Sequence, residues 1–208
     1  LSGTIVTGVL QSSSIVNLLV LAFVGAGIIG MQNGLALILG ANLGTTATSW
    51  LIAVVGFEMN IELLALPAVG MAGIAYYALP KESVVTKWCL LLLGFGLLFT
   101  GLGFIKTSAY TLVSSMHVAA YAGYHPLLFL GIGFVLTSII QSSSATMAIT
   151  MSVLITGAIT LQDAMAVALG AEVGTTIKVV LAALGGSADK KRVALGNFMF
   201  NVISTMLF

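Results

Sequence analysis

Shifted by 130 residues, the chain matches itself. Adding 130 to Gln11 gives Gln141, so "QSSS" at 11–14 falls on "QSSS" at 141–144. The same shift, without a gap, lays "GANLGTT" (40–46) over "GAEVGTT" (170–176). It also pairs Thr7 with Thr137, Gly27 with Gly157 and Gln32 with Gln162. A duplication of this length predicts a fold built from two copies of one unit.

The surroundings of the repeated polar motifs narrow the fold further. Only 6% of the 208 residues are charged and 59% are hydrophobic. A soluble domain needs about a quarter of its residues charged to cover its surface, so this chain belongs in a bilayer. The net charge is +1 and no basic cluster is interleaved with aromatics, which sets nucleic acid aside as a partner. Cys89 is the single cysteine and can form no intrachain disulfide. Leu rather than Met at residue 1 reads as a trimmed chain.

Five segments approach the roughly 20 apolar residues of a membrane span. They are Gly34–Gly56, Ile61–Leu79, Thr86–Ile105, Ala164–Gly185 and Val193–Phe208, separated by "FEMN" (57–60), "PKES" (80–83), a polar 106–126 stretch and "SADKKR" (187–192). Two more regions, Leu1–Gly30 and Leu127–Gly157, are divided by QSSS into limbs ending at Leu10 and Ile140 and limbs starting at Ile15 and Ala145. A helical limb of about 14 residues reaches only about 21 Å, short of the roughly 30 Å hydrocarbon core. Each region is therefore expected to be a re-entrant hairpin with QSSS at its tip. Non-helical backbone at that depth is tolerated only where protein or a watery cavity surrounds it.

If neither hairpin crosses, three spans separate them, and an odd number inverts the second repeat. Lys81, Lys87, Lys190, Lys191 and Arg192 then share one side, with Lys106 opposite; this marks the first side as cytoplasmic. The expected fold is an all-α membrane protein of two inverted repeats, 1–80 and 81–208, the second opening with a helix over 86–105. Each repeat carries a re-entrant hairpin with QSSS and a broken helix with GxxxGTT-like sequence. That is the design of secondary transporters.

Serines that follow a helix break make good N-caps. A helix start exposes free N–H groups and partial positive charge, and can hold an anion. The C-terminal end of the preceding limb offers carbonyl oxygens to a hard cation such as sodium. In "GANLGTT" two glycines permit another break, with Asn42, Thr45 and Thr46 supplying oxygens. Four helix starts could then converge on a tetrahedral oxyanion. The competing reading is packing, since Ser, Thr and Gly are common where transmembrane helices touch.

Glu172 and Lys178 are the charges deep within an apparent span, where charge is costly and points to function. They read either as a buried structural pair or as a cation ligand (Glu172) and an anion contact (Lys178). The first repeat has Asn42 and Thr48 at those places. His117 and His125 read as solvated loop residues, and Tyr76, Tyr77 and Trp88 as an interfacial belt.

With QSSS twice and GANLGTT/GAEVGTT, the sequence resembles the sodium/phosphate cotransporter family of the type II, NptA-like kind, over essentially the whole chain. "GFGLLFTGLGFI" (94–105) is similar to the helix opening the family's second repeat. "HPLLFLGIGFVLTSIIQSSSA" follows its pre-hairpin pattern, with His125 where Asn is usual. "RVALGNFMFN" (192–201) is similar to its segment after the second repeat, with Asn197 where His is common. The resemblance implies sodium-coupled uptake of inorganic phosphate by alternating access in the inner cell membrane, without an enzymatic reaction or cofactor.

It implies phosphate contacts from Ser12, Ser13, Ser14, Ser142, Ser143, Ser144, Thr46 and Thr176, to which the buried-charge argument adds Lys178. Sodium contacts would come from Gln11, Gln141, Asn42, Thr45, Thr175, Ser13 and Ser143, with Glu172 added on the same charge argument. Glu172 and Lys178 depart from the family's usual Asn and uncharged residue, which leaves the coupling ion and stoichiometry open. The family's helix before the first hairpin is absent ahead of Leu1, so a second copy of the chain could complete the site. Rival readings are a passive anion channel, a transporter of another oxyanion (driven by protons instead), an intramembrane serine hydrolase and a purely structural membrane subunit. Against the hydrolase, no His or Lys base lies near either QSSS in sequence.

Overall fold

The computed structural model describes residues 1–54, 62–115 and 124–207. Among them the chain is helical, without strands: α1 (Ser2–Leu10), α2 (Ser13–Gly25), α3 (Met31–Leu51), α4 (Glu62–Ala78), α5 (Val84–Ser115), α6 (Pro126–Ile140), α7 (Ser143–Ile155), α8 (Leu161–Ala183) and α9 (Ala188–Leu207). Three of these, taken as Met31–Val54, Val84–Ser108 and Leu161–Ala183, are long and apolar enough to cross a membrane. Large apolar side chains such as Trp50, Trp88, Phe104 and Ile139 point outward, as a hydrocarbon surround allows.

The duplication extends to the backbone. Helices α2 and α7 are each 13 residues long and offset by the same 130 positions, as are the starts of α3 and α8. The described residues with left-handed backbone also pair off: Gln11 (φ 52°) with Gln141 (φ 62°), and Gly27 (φ 73°) with Gly157 (φ 75°).

The chain divides into two compact units, Leu1–Trp50 with Val118–Phe208, and Leu51–His117. In the first, Val20, Leu21 and Val24 of α2, Ile38 and Ala41 of α3, Val179 and Ala183 of α8, and Val193 and Ala194 of α9 form one buried cluster. A smaller one joins Phe129 of α6 to Ala166 and Val167 of α8. In the second unit α4 packs on α5, where Gly96 lies against Ala65 and Val69.

Three sequence expectations are corrected. First, α3 and α8 run unbroken through GANLGTT and GAEVGTT, so neither motif starts a helix. Their glycines serve close helix contact instead. A methyl group on Gly170 would overlap the Leu130 carbonyl oxygen and lie 2.9 Å from Phe134 N. One on Gly44 would come within 2.7 Å of the Thr4 carbonyl oxygen. Gly3 meets α3, and its counterpart Gly133 meets α8, in the same way. The backbone–backbone approach offsets the roughly 1 kcal/mol that a mid-helix glycine costs.

Second, the break at 106 is absent. Helix α5 continues past Lys106 to Ser115, since "KTSAYTLVSS" holds neither Gly nor Pro and Thr107 and Thr111 return their hydroxyls to Gly103 O and Thr107 O. Third, α9 begins at Ala188, taking Lys190, Lys191 and Arg192 into its first turns. His125 is exposed and outside the helix, as expected, and it also caps α6: its Nδ1 accepts from Leu127 N at 3.3 Å ahead of Pro126 at the first helical position. His117 lies outside the described residues.

Candidate functional site

Both QSSS motifs interrupt the helix by the same local chemistry. Helix α1 ends with Gln11 in left-handed conformation, its N–H bonded to Thr7 O at 2.7 Å. Ser12 is extended, and its Oγ accepts from Ile15 N at 3.4 Å, so α2 restarts at Ser13. At the second break Gln141 N–H donates to Thr137 O at 2.8 Å, and Ser142 Oγ accepts from Ala145 N at 3.3 Å. Left-handed backbone is usually left to Gly or Asn. Glutamine is suited here because its Nε2 turns back onto a carbonyl of the closing helix, Gly8 O at 2.5 Å in α1 and Ser138 O in α6. The helix end is satisfied, and each Gln Oε1 remains an acceptor.

Lys178 joins the two breaks. From the second-last turn of α8 its Nζ donates to the Gln141 carbonyl oxygen at 2.8 Å and to the Ser14 hydroxyl. One ammonium thus touches the C-terminal end of α6 and the N-terminal turn of α2. A cation at a helix C-terminus is favoured by the helix dipole. Glu172 forms no direct salt bridge with it, unlike Arg192 and Asp189, which meet at 3.2 Å. In an unbroken helix, six residues place the two attachment points about 9 Å apart along the axis, so the two groups act on each other through space rather than by direct contact. The Ser14 contact corrects the argument that no base lies near QSSS, because Lys178 reaches Ser14 from 164 residues away.

Glu172 belongs to a second polar centre. Asn42 Nδ2 donates to Asn197 Oδ1 at 2.9 Å and to Asn201 Oδ1 at 3.2 Å; Asn201 Nδ2 donates to the Glu172 carbonyl at 3.0 Å. Asn197 and Asn201, one turn apart on α9, are both buried. A cavity of about 490 Å³ opens beside this network, with Asn42, Thr45, Thr46, Glu172 and Asn201 among its lining residues. Among the described residues, His, Cys, Asp and Glu form no group of three that could hold a metal ion.

The chain matches the profile of the Na+/Pi-cotransporter family over residues 1–107 and 115–208. The chain belongs to the Na+/Pi-cotransporter family. Within reach of this family assignment, it is 34% identical to the Bacillus subtilis protein YqeW over 97% of its own length and 64% of that protein's. It is 25% identical to the Escherichia coli protein named "Putative inorganic phosphate export protein YjbB", over 99% of this chain and 37% of that one. The Salmonella typhimurium protein of the same name is 26% identical. The chain therefore spans less than two thirds of the length of these relatives. No solved structure matches it significantly.

In this Na+/Pi-cotransporter chain the residues singled out from sequence divide between the two centres. Gln11, Ser12, Ser13, Ser14, Gln141, Ser142, Ser143 and Ser144 form the two breaks, with Lys178 between them. Asn42, Thr45, Thr46 and Glu172 line the cavity. Thr175 and Thr176 are buried, and their hydroxyls donate to Glu172 O (2.7 Å) and Val173 O (2.6 Å) of their own helix. Asn197 and Asn201 had not been assigned a role from sequence; two amides at i, i+4 in the apolar run "NFMFN" are the signal that marks them.

Proposed function

We propose that the chain forms the substrate-handling part of a sodium-coupled transporter of inorganic phosphate that works by alternating access. The observation that carries this reading is the convergence of the two QSSS breaks on Lys178. Each break offers serine hydroxyls and the free N–H groups of a helix start, suited to an anion. Lys178 has a third N–H to turn toward phosphate. The Gln Oε1 atoms and the carbonyls ending α1 and α6 suit sodium, which would lower the repulsion met by an entering oxyanion. Asn42, Thr45 and Glu172 would supply further oxygens from the cavity.

The helix lengths support re-entrant hairpins. Helices α1, α2, α6 and α7 have 9, 13, 15 and 13 residues, and even 15 residues rise only about 22 Å, short of the roughly 30 Å core. In this reading the repeats are inverted and the 81–87 and 190–192 segments face the cytoplasm of a cell-membrane protein. The relatives named for phosphate export make efflux as reasonable a physiological direction as uptake.

Radiolabelled phosphate flux in proteoliposomes, with and without a sodium gradient, tests the reading. Flux should rise with the gradient and fall in Gln11→Ala and Gln141→Ala. Equal flux in both conditions would remove sodium coupling and leave a passive anion path; no flux would remove phosphate.

A further inference from the structure

We propose that the Lys178 ammonium is a tethered monovalent cation, occupying a position between the two breaks that a free sodium would otherwise fill, and so sets how many sodium ions the transporter needs. The inference rests on the phosphate-transport reading for its flux arm, but not for its binding arm.

The argument begins with the ligands. A serine hydroxyl and a main-chain carbonyl, Ser14 Oγ and Gln141 O, are the oxygen types that coordinate hard monovalent ions, and both here accept from Nζ. The carbonyl is that of the left-handed residue ending α6, where the helix dipole concentrates negative charge. A covalently held ammonium satisfies such oxygens without a binding step.

The duplication supplies the contrast. Shifted by 130 positions, Lys178, Ser14 and Gln141 correspond to Thr48, Ser144 and Gln11. The mirror trio has oxygens only and carries no charge of its own. One half of the molecule thus holds a built-in cation, while its counterpart must recruit one from solution. Within this trio the asymmetry lies in one side chain, Lys178 against Thr48, since the other two positions are Ser and Gln in both repeats.

The experiment compares the full-length protein with Lys178→Thr, which restores the residue of the first repeat, and with Lys178→Gln as a second neutral variant should the first not fold. Thermal melts in detergent are recorded against sodium at constant ionic strength, with choline as replacement. Phosphate flux in proteoliposomes is then measured over the same sodium range. Removing the ammonium should add a sodium requirement beyond the one the parent already has. Sodium at about 100 mM should raise the Tm of the variant by about 3 °C more than that of the parent. Variant flux should fall about tenfold without sodium, recover with it, and depend on sodium more steeply than in the parent.

An equal effect of sodium on both melting curves would overturn the proposal. So would a variant whose flux is lost at every sodium concentration, which would make Lys178 a phosphate contact alone. Absence of phosphate flux from the parent would instead refute the phosphate reading, and the melting comparison would still decide the cation question.

Discussion

The hydroxyl of Thr137 donates to that of Thr146 at 2.8 Å, tying α6 to α7 behind the second break. The matching hydroxyl in the first repeat, on Thr7, is buried without a protein partner, because Thr146 corresponds to Val16. The side-chain amide oxygen of Asn17, next to Val16 in sequence, is likewise buried without a protein partner. The two breaks share a backbone but not its internal support.

Val16→Thr should therefore stabilise the protein, giving Thr7 the partner that Thr137 has. The gain expected from one buried hydrogen bond is about 1 kcal/mol. Thr146→Val should do the reverse, stranding the fully buried Thr137 hydroxyl at a cost of about 1–3 kcal/mol. Melting curves of the two variants in detergent should shift in opposite directions; a shift of the same sign in both would refute the comparison.

Glycine variants should separate contact from conformation. Gly170→Ala and Gly133→Ala drive a methyl into the facing backbone, of Leu130 and Val167 respectively. They should lower folded yield severely, with a loss of about 3 kcal/mol or more, because backbone cannot move aside as a side chain can. Gly131→Ala meets nothing within 4 Å and should be neutral or stabilising by up to about 1 kcal/mol. Size-exclusion profiles after purification distinguish these outcomes.

The left-handed glutamines allow function to be separated from stability. Gln141→Gly keeps a residue at ease at φ 62° while deleting Oε1, whereas Gln141→Ala adds about 1 kcal/mol of strain to the same deletion. The Gly variant should melt above the Ala variant, yet both should lose about tenfold in sodium-stimulated phosphate flux. Sodium stimulation retained in Gln141→Gly would remove the side-chain oxygen from the cation site.

Asn42→Leu should destabilise through α9. It withdraws the donor shared by Asn197 Oδ1 and Asn201 Oδ1, leaving two buried acceptors at a combined cost of about 2–4 kcal/mol. Adding Asn197→Leu should recover part of that loss, since removing both partners of a buried bond costs less than removing one. A double mutant as unstable as the sum of the singles would show that the amides act independently.

How much of this was legible beforehand depends on what each residue type encodes locally. The QSSS breaks were legible because serine caps a helix start wherever it occurs. The residue at which each helix restarts was missed by two positions, as Ser13 and Ser143 already turn within α2 and α7. The GxxxGTT segments were misread because glycine serves both a break and a close contact, and only the facing helix decides between them. The contact of Lys178 with Ser14 was hidden by 164 intervening residues. The amides of Asn197 and Asn201 stood in plain view but had no partner to declare their purpose until α3 brought Asn42 to them.

The glycine contacts of α6 and α8 carry a mechanical consequence. Where Gly133 and Gly170 meet the facing main chain, no side chain lies between the helices to change rotamer or slide into a new groove. Bending or shearing that seam would force backbone through backbone. The pair therefore behaves as a stiff beam, and displacement within this unit must be taken up at joints lacking such a seam, such as the left-handed turns at Gln11 and Gln141.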